Sequence, residues 1–151
     1  MICVECNPDK ALVSTLGFEQ KEILHTHGKG NACNLLLKKN KYIALLDQDP
    51  LSAQPSYLRG LTLGEEKYDL RLLEDSARGN RIVLLCPRLE EWIAQTAKAE
   101  KIVLQKYGLP PDARSLHEVF AFDQKKLKNL VQDLRNNERM KLLNRWLGGH
   151  I

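Results

Sequence analysis

Before Asp47, three short apolar, β-prone runs alternate with two helix signals, and this order constrains the fold more than any other feature of the chain. Met1 to Val4 is the first run. Asn7-Pro8-Asp9 then offers a helix start, with Asn as N-cap and Pro at the first helical position, and the helix runs from Pro8 to about Leu16 before Gly17 ends it. Phe18 to His25 reads as the second strand. After Gly28-Lys29-Gly30-Asn31, with Asn31 as N-cap, the apolar residues Ala32, Leu35, Leu36 and Leu37 mark a second helix that runs into Lys38-Lys39. Lys41 to Leu46 is nearly continuously apolar, as in a strand covered on both faces. The βαβαβ order predicts an α/β fold, a mainly parallel sheet flanked by helices with right-handed crossovers. Ligands of such sheets sit beyond the carboxyl ends of the strands, where Glu5, the His25 to Gly30 loop and Asp47-Gln48-Asp49 fall.

Pro50 to Tyr68 carries two prolines and two glycines with little periodicity, so it reads as a long loop with room for one helical turn. Leu70 to Leu73 and Arg81 to Cys86 are predicted as a strand pair around the turn-rich Asp75 to Asn80. From Leu89 a helix of about 18 residues is expected, its buried face marked by Trp92, Ile93, Thr96, Ala97, Ile102, Val103 and Leu104, before Gly108 and Pro110-Pro111 break it. Leu127, Leu130, Val131 and Leu134, then Met140, Leu142, Leu143, Trp146 and Leu147, recur at helical spacing. The expected organisation is one domain, with an α/β core over 1–107 and a helical C-terminal extension over 108–151.

A chain of 151 residues suits one such domain, burying roughly 70% of the surface its unfolded form exposes. No apolar stretch approaches the ~20 residues needed to span a bilayer, so no membrane contact is expected. Glu5, Asn7, Pro8 and Asp9 interrupt what a secretory leader would need, and a cytoplasmic location is expected. The four cysteines are too few for a disulfide scaffold and are expected reduced. The net charge is +4, and from Ser115 onward seven Lys/Arg stand against four Asp/Glu. Such a basic end suits contact with an anionic polymer, although most such faces are only solvated.

Glu5 follows the first strand, and Asp47 and Asp49 follow the third. On an extended backbone a D-x-D puts both carboxylates on one side, within reach of one hard cation, and a glutamate from the neighbouring strand about 4.8 Å away completes the set. The plainer reading is that strand-end aspartates cap helices and start turns, as Asp49-Pro50 itself suggests. Gly28-Lys29-Gly30 can turn tightly and offer backbone N–H groups and a cation to a phosphate, or can merely connect two elements. His25 and His27 flank the same edge, where an imidazole can touch a phosphate or stand idle in a loop. Cys3 and Cys6 have C-x-x-C spacing, yet residues three apart on a strand face opposite sides, which argues for core packing over zinc. Trp92 and Trp146 fall on apolar helical faces and read as core. Lys125, Lys126 and Lys128 are candidate nucleic-acid contacts, with a solvated face as the alternative.

The segments Ile2-Cys3-Val4-Glu5, His27-Gly28-Lys29-Gly30 and Ala44-Leu45-Leu46-Asp47-Gln48-Asp49-Pro50 together resemble the TOPRIM domain shared by topoisomerases, bacterial primases, small ribonucleases and overcoming-lysogenization-defect nucleases. Pro87-Arg88-Leu89-Glu90-Glu91-Trp92 is similar to a segment of short bacterial TOPRIM-like proteins, so the resemblance covers about the first hundred residues. Two departures touch the active edge. Cys6 stands where TOPRIM members have Gly after the glutamate, and Pro50-Leu51-Ser52-Ala53 replaces an early Gly after the D-x-D. The resemblance implies Glu5 as general acid/base, Asp47 and Asp49 as Mg²⁺ (or Mn²⁺) ligands, and Glu90 as a further ligand or site-shaping residue. It further implies a metal-dependent nuclease acting on DNA or RNA, alone or as one subunit of a defence or nucleic-acid-processing assembly, with a protein partner or a second copy as company. The alternative is a catalytically degenerate TOPRIM-like interaction module. A receiver domain fits worse, because it expects paired acids after the first strand and Lys after the fifth.

Overall fold

The computed structural model describes residues 1–149. Its six strands are β1 (Ile2–Val4), β2 (Ile23–His25), β3 (Ile43–Asp47), β4 (Thr62–Lys67), β5 (Leu70–Asp75) and β6 (Asn80–Leu85). They form one sheet in the order β2-β1-β3-β6-β5-β4. β1 pairs in parallel with β2 and β3, and β3 with β6, while β5 runs antiparallel between β6 and β4. The fold is α/β with a mostly parallel sheet. Its helices are α1 (Asn7–Thr15), α2 (Lys29–Leu36), α3 (Ser56–Arg59), α4 (Leu89–Ala99), α5 (Ala113–Phe122), α6 (Lys125–Leu134) and α7 (Glu138–Trp146).

Alternation along the strands sorts the core into two layers. Ile2, Val4, Leu45, Leu70, Leu72, Val83 and Leu85 face α1 and α4 to α7, in one apolar cluster that contains Trp92, Phe120 and Trp146. Cys3, Ala44, Leu46, Leu73, Ile82 and Leu84 face α2 and α3 on the other side. The helices of residues 108–149 thus share a single core with the sheet, and Leu104 and Leu109 carry that core across the expected 107/108 boundary. His150 and Ile151, the end of the expected extension, lie outside the described residues. Among the described residues no helix is long and apolar enough to cross a membrane.

Several element ends differ from the sequence reading. Cys6 is extended (φ −147°, ψ 173°) and is the N-cap of α1, so Asn7 and Pro8 are its first two helical residues. The cap of α2 is Gly28 at φ 130°, and Asn31 inside the helix turns its amide back to the His27 carbonyl. Phe18 to Glu22 is not strand, because residues 20–22 form a short 3-10 turn and β2 begins only at Ile23. The expected 18-residue helix stops at Ala99, where Lys101 takes a left-handed conformation (φ 58°), and this leaves Val103 49% exposed. The largest surprise is β4, read as loop. All six of its residues are exposed, and a bulge breaks its register between Leu63 and Glu65, so no alternation marks it. Pairing with β5 makes it a strand, closed by Tyr68 and Asp69, both at positive φ (56° and 58°), as a two-residue type I′ hairpin requires.

Asn80 ties the start of β6 to its neighbours. Its amide donates to the Leu36 and Lys39 carbonyls at 3.0 Å each, while its Oδ1 accepts the Tyr42 N–H at 2.8 Å. The buried polar atoms of Asn80 itself are thereby satisfied.

Candidate active site

β1 and β3 are neighbours in register, Val4 opposite Leu45, so the residues that follow them emerge side by side. Glu5 Oε2 accepts the Asp47 N–H at 2.6 Å. Asp47 in turn accepts the Leu89 N–H through Oδ1 at 3.0 Å, at the N-terminus of α4. The next residue of that helix, Glu90, is only 6% exposed. A fourth carboxylate enters from α1. Asp9, 1% exposed, accepts the Cys6 Sγ–H through Oδ2 at 3.1 Å, while its Oδ1 is buried without a partner.

These groups perturb one another. Burial pushes the Asp47 carboxyl far above the usual carboxylate range, and the charges of Asp9, Glu5 and Glu90 push it further. Asp9 is raised by burial, and Glu5 and Glu90 add to the effect, although its hydrogen bond with Cys6 opposes it. Glu5 is raised by burial against the pull of the Asp47 N–H and Lys29, with the Asp49 charge adding to the rise. Burial, with Asp9 beside it, also pushes up the Cys6 thiol. Like charges gathered out of water favour protonation unless a cation offsets them.

Asp49, whose charge reaches Glu5, is held differently. β3 ends at Asp47 and Asp49 takes a left-handed conformation (φ 44°), so the extended D-x-D geometry expected from the sequence does not occur. Its N–H goes to the Pro87 carbonyl at 2.8 Å and its Oδ1 to Arg88 at 3.1 Å. Among the described residues no three Asp, Glu, His or Cys side chains are grouped as a ready cage for a metal ion.

The glycine turn is stitched to the same edge. The Gly28 N–H donates to the Glu5 carbonyl at 3.0 Å, and Lys29 Nζ donates to the Gln48 carbonyl at 3.0 Å and to Gln54 at 3.4 Å. The ammonium of Lys29 therefore lies among these groups and is already engaged. Gly30 sits in the first turn of α2 with open space around it. His27 (φ 60°) stacks on His25 with ring centroids 3.9 Å apart, and burial together with His27 lowers the His25 imidazole below its ordinary value. Lys125 and Lys128 are exposed on α6, whereas Lys126 donates to the Gly108 carbonyl at 3.1 Å. At φ 130° Gly28 occupies a conformation side chains avoid, while no atom lies within 4 Å of an added Cβ. Gly28→Ala is thus expected to cost about 1–3 kcal/mol through backbone strain alone, read by urea denaturation. A neutral result would mean that the turn can relax without loss.

Three residues of the site escaped the sequence reading. Asp9 lies in the first turn of α1, where an acid commonly complements the helix dipole. Arg88 fell between two elements. His117, on α5, has Nδ1 2.9 Å from Glu90 Oε1, a contact across 27 positions that no local pattern marks. Arg88, Glu90, Glu91, Arg114, His117 and Glu118 line an open cleft of about 400 Å³ next to the carboxylates. No protein-family model, curated protein or solved structure matches the chain.

Proposed function

We propose that the chain is a TOPRIM-type, Mg²⁺-dependent phosphodiester hydrolase acting on DNA or RNA. The observation that carries this reading is the gathering of Glu5, Asp47 and Glu90 at the carboxyl edge of parallel strands, where burial and mutual repulsion raise Asp47. A hard divalent cation suits carboxylate donors, and Asp47 and Glu90 would have to draw together with a third to hold it. Asp47 and Glu90 would hold Mg²⁺ or Mn²⁺, with Asp49, whose Oδ1 pairs with Arg88, beside them. The ion supplies charge neutralisation at a phosphoryl oxygen when bound.

The other roles fall to the protein. Glu5, raised by burial and held by the Asp47 N–H, is the side chain placed to exchange a proton with water or the leaving group, as a general acid/base does. Lys29, with the Gly28-Lys29-Gly30 turn, would meet a phosphate by giving up the Gln48 carbonyl. The second reading, a non-catalytic module that binds a protein partner or another copy, draws on the Asp49–Arg88 pair and on Asp47 serving the N-terminus of α4.

Labelled single- and double-stranded DNA and RNA incubated with the purified protein decide between them. Cleavage in Mg²⁺ or Mn²⁺ that EDTA stops supports the hydrolase. Neither cleavage nor metal binding with any substrate supports the module. Polynucleotide binding should also weaken with salt, and replacing Lys125, Lys126 and Lys128 by Gln should flatten the log–log slope by up to about 3 if each contacts one phosphate. An unchanged slope would leave these lysines as a solvated face.

A further inference from the structure

We propose that an unpaired nucleic-acid strand lies along the outer face of α5, with its backbone in the cleft at Arg114 and one base stacked on Phe122. The proposal rests on the hydrolase reading above and narrows the substrate to single strands.

The observation that carries it is the position of Phe122. α5 holds two phenylalanines, and the core takes one of them. Phe120, with Leu116, is fully buried, whereas Phe122 is 93% exposed at the last residue of the helix. A large ring left in water gains little from folding, and it offers a flat apolar face to whatever approaches. Every base has a π-face that can stack on such a ring, and in a single strand the bases are free to do so.

The second observation is continuity. Ala113, Arg114, His117 and Glu118 form the α5 wall of the cleft at Glu90, and Glu118, Val119, Phe122, Asp123 and Lys126 line a second cleft of about 440 Å³. Glu118 belongs to both, so the two clefts adjoin along α5. Arg114, Glu118 and Phe122 follow one another at four-residue spacing, which puts them on one side of the helix. From His117 to Phe122 the helix advances about 7.5 Å. That is a span of about two nucleotides at about 3.4 Å each.

Charge favours a polyanion at this face. Among the described residues Arg114, Lys125 and Lys128 form no ion pair, so their cations are free to meet phosphates. The acids beside them are mostly engaged: Glu90 with His117, Glu91 with Arg88, and Asp123 with the Lys125 N–H. Glu118 is the acid that opposes a phosphate here without such a partner.

Fluorescence anisotropy of labelled oligo-dT, oligo-U and a duplex, with full-length wild type, Phe122→Ala, Phe122→Trp and Arg114→Gln, tests this in EDTA so that no strand is cut. Phe122→Ala should weaken single-strand binding by about tenfold, the scale of one lost base stack, while Phe122→Trp retains it and duplex affinity does not move. Arg114→Gln should reduce the slope of log K against log salt by about 0.7, one phosphate contact, and Phe122→Ala should leave that slope unchanged. Both side chains are exposed, so the variants are expected to melt with the wild type. Unchanged single-strand affinity in Phe122→Ala, or equal weakening on single strand and duplex, overturns the proposal. Self-association of the wild type that Phe122→Ala abolishes in sedimentation also overturns it, because a second copy then covers the ring. Cleavage in Mg²⁺ is scored separately. A wild type that binds single strands through Phe122 yet cuts nothing supports this surface and removes the hydrolase reading, whereas one that cuts without using Phe122 keeps that reading and overturns the proposal.

Discussion

Glu5→Gln is expected to lower the rate of nucleic-acid cleavage by about 10²–10⁴-fold while leaving the protein folded. Glutamine has nearly the same shape, and its carbonyl oxygen can still accept the Asp47 N–H that Glu5 Oε2 accepts at 2.6 Å. It cannot exchange a proton. Removing one negative charge from a crowded set of carboxylates should also leave the metal-free protein at least as stable. Turnover with Mg²⁺ or Mn²⁺, beside a melting curve for each protein, checks both halves. Polynucleotide binding should survive better than catalysis, since the basic surfaces are untouched. Equal residual cleavage by wild type and variant would mark the activity as a contaminant and end the hydrolase reading.

In EDTA, the melting temperature should fall as pH rises from about 6.5 to about 8. The sign follows from Asp47 and Asp9, whose carboxyls are raised by burial and by neighbouring carboxylates. The folded state then keeps protons that the unfolded chain has already released above the ordinary aspartate value of about 4. Stability is therefore greatest on the acid side and declines as pH climbs through the raised values. Each proton retained across the interval gives a slope of about 1.4 kcal/mol per pH unit, so one or two such groups cost about 2–4 kcal/mol over 1.5 units. In a chain of this size that is about 4–16 °C. His25 acts in the opposite sense below about 6.5, because its imidazole is lowered, and this is why the window starts there. Asp47→Asn should flatten the fall. Saturating Mn²⁺ should reverse it if the carboxylates hold the ion. A melting temperature that is flat or rising with pH would show that these side chains do not repel one another.

The parallel half of the sheet was legible because burial on both faces leaves continuous apolar runs, and the helices between them are marked by Pro8, Gly17 and the glycine turn. Trp92 and Trp146 were legible as core for the same reason, since both sit on apolar helical faces and both are buried. β4 was not legible. An edge strand with every residue exposed has no apolar face to alternate, and only hydrogen bonding to β5 makes it a strand. The exact ends of α1 and α2 were missed by a residue or more because an extended Cys6 and a positive-φ Gly28 took the cap positions that the two asparagines suit by propensity.

The sequence by itself carried the α/β alternation, and with it the placing of Glu5 and Asp47 at the same edge of parallel strands, because chain direction sets the edge; that the two strands are neighbours was decided by the sheet order. Which carboxylates meet there was decided only by tertiary structure. A left-handed turn at Asp49 and the reach of Arg88 break the extended D-x-D, and the packing of α1 beside β1 buries Asp9 against Cys6. His117 reaches Glu90 only because α5 folds back onto α4. Side-chain direction at a strand end depends on the backbone beyond the strand and on neighbours far away in the chain, and local spacing carries neither.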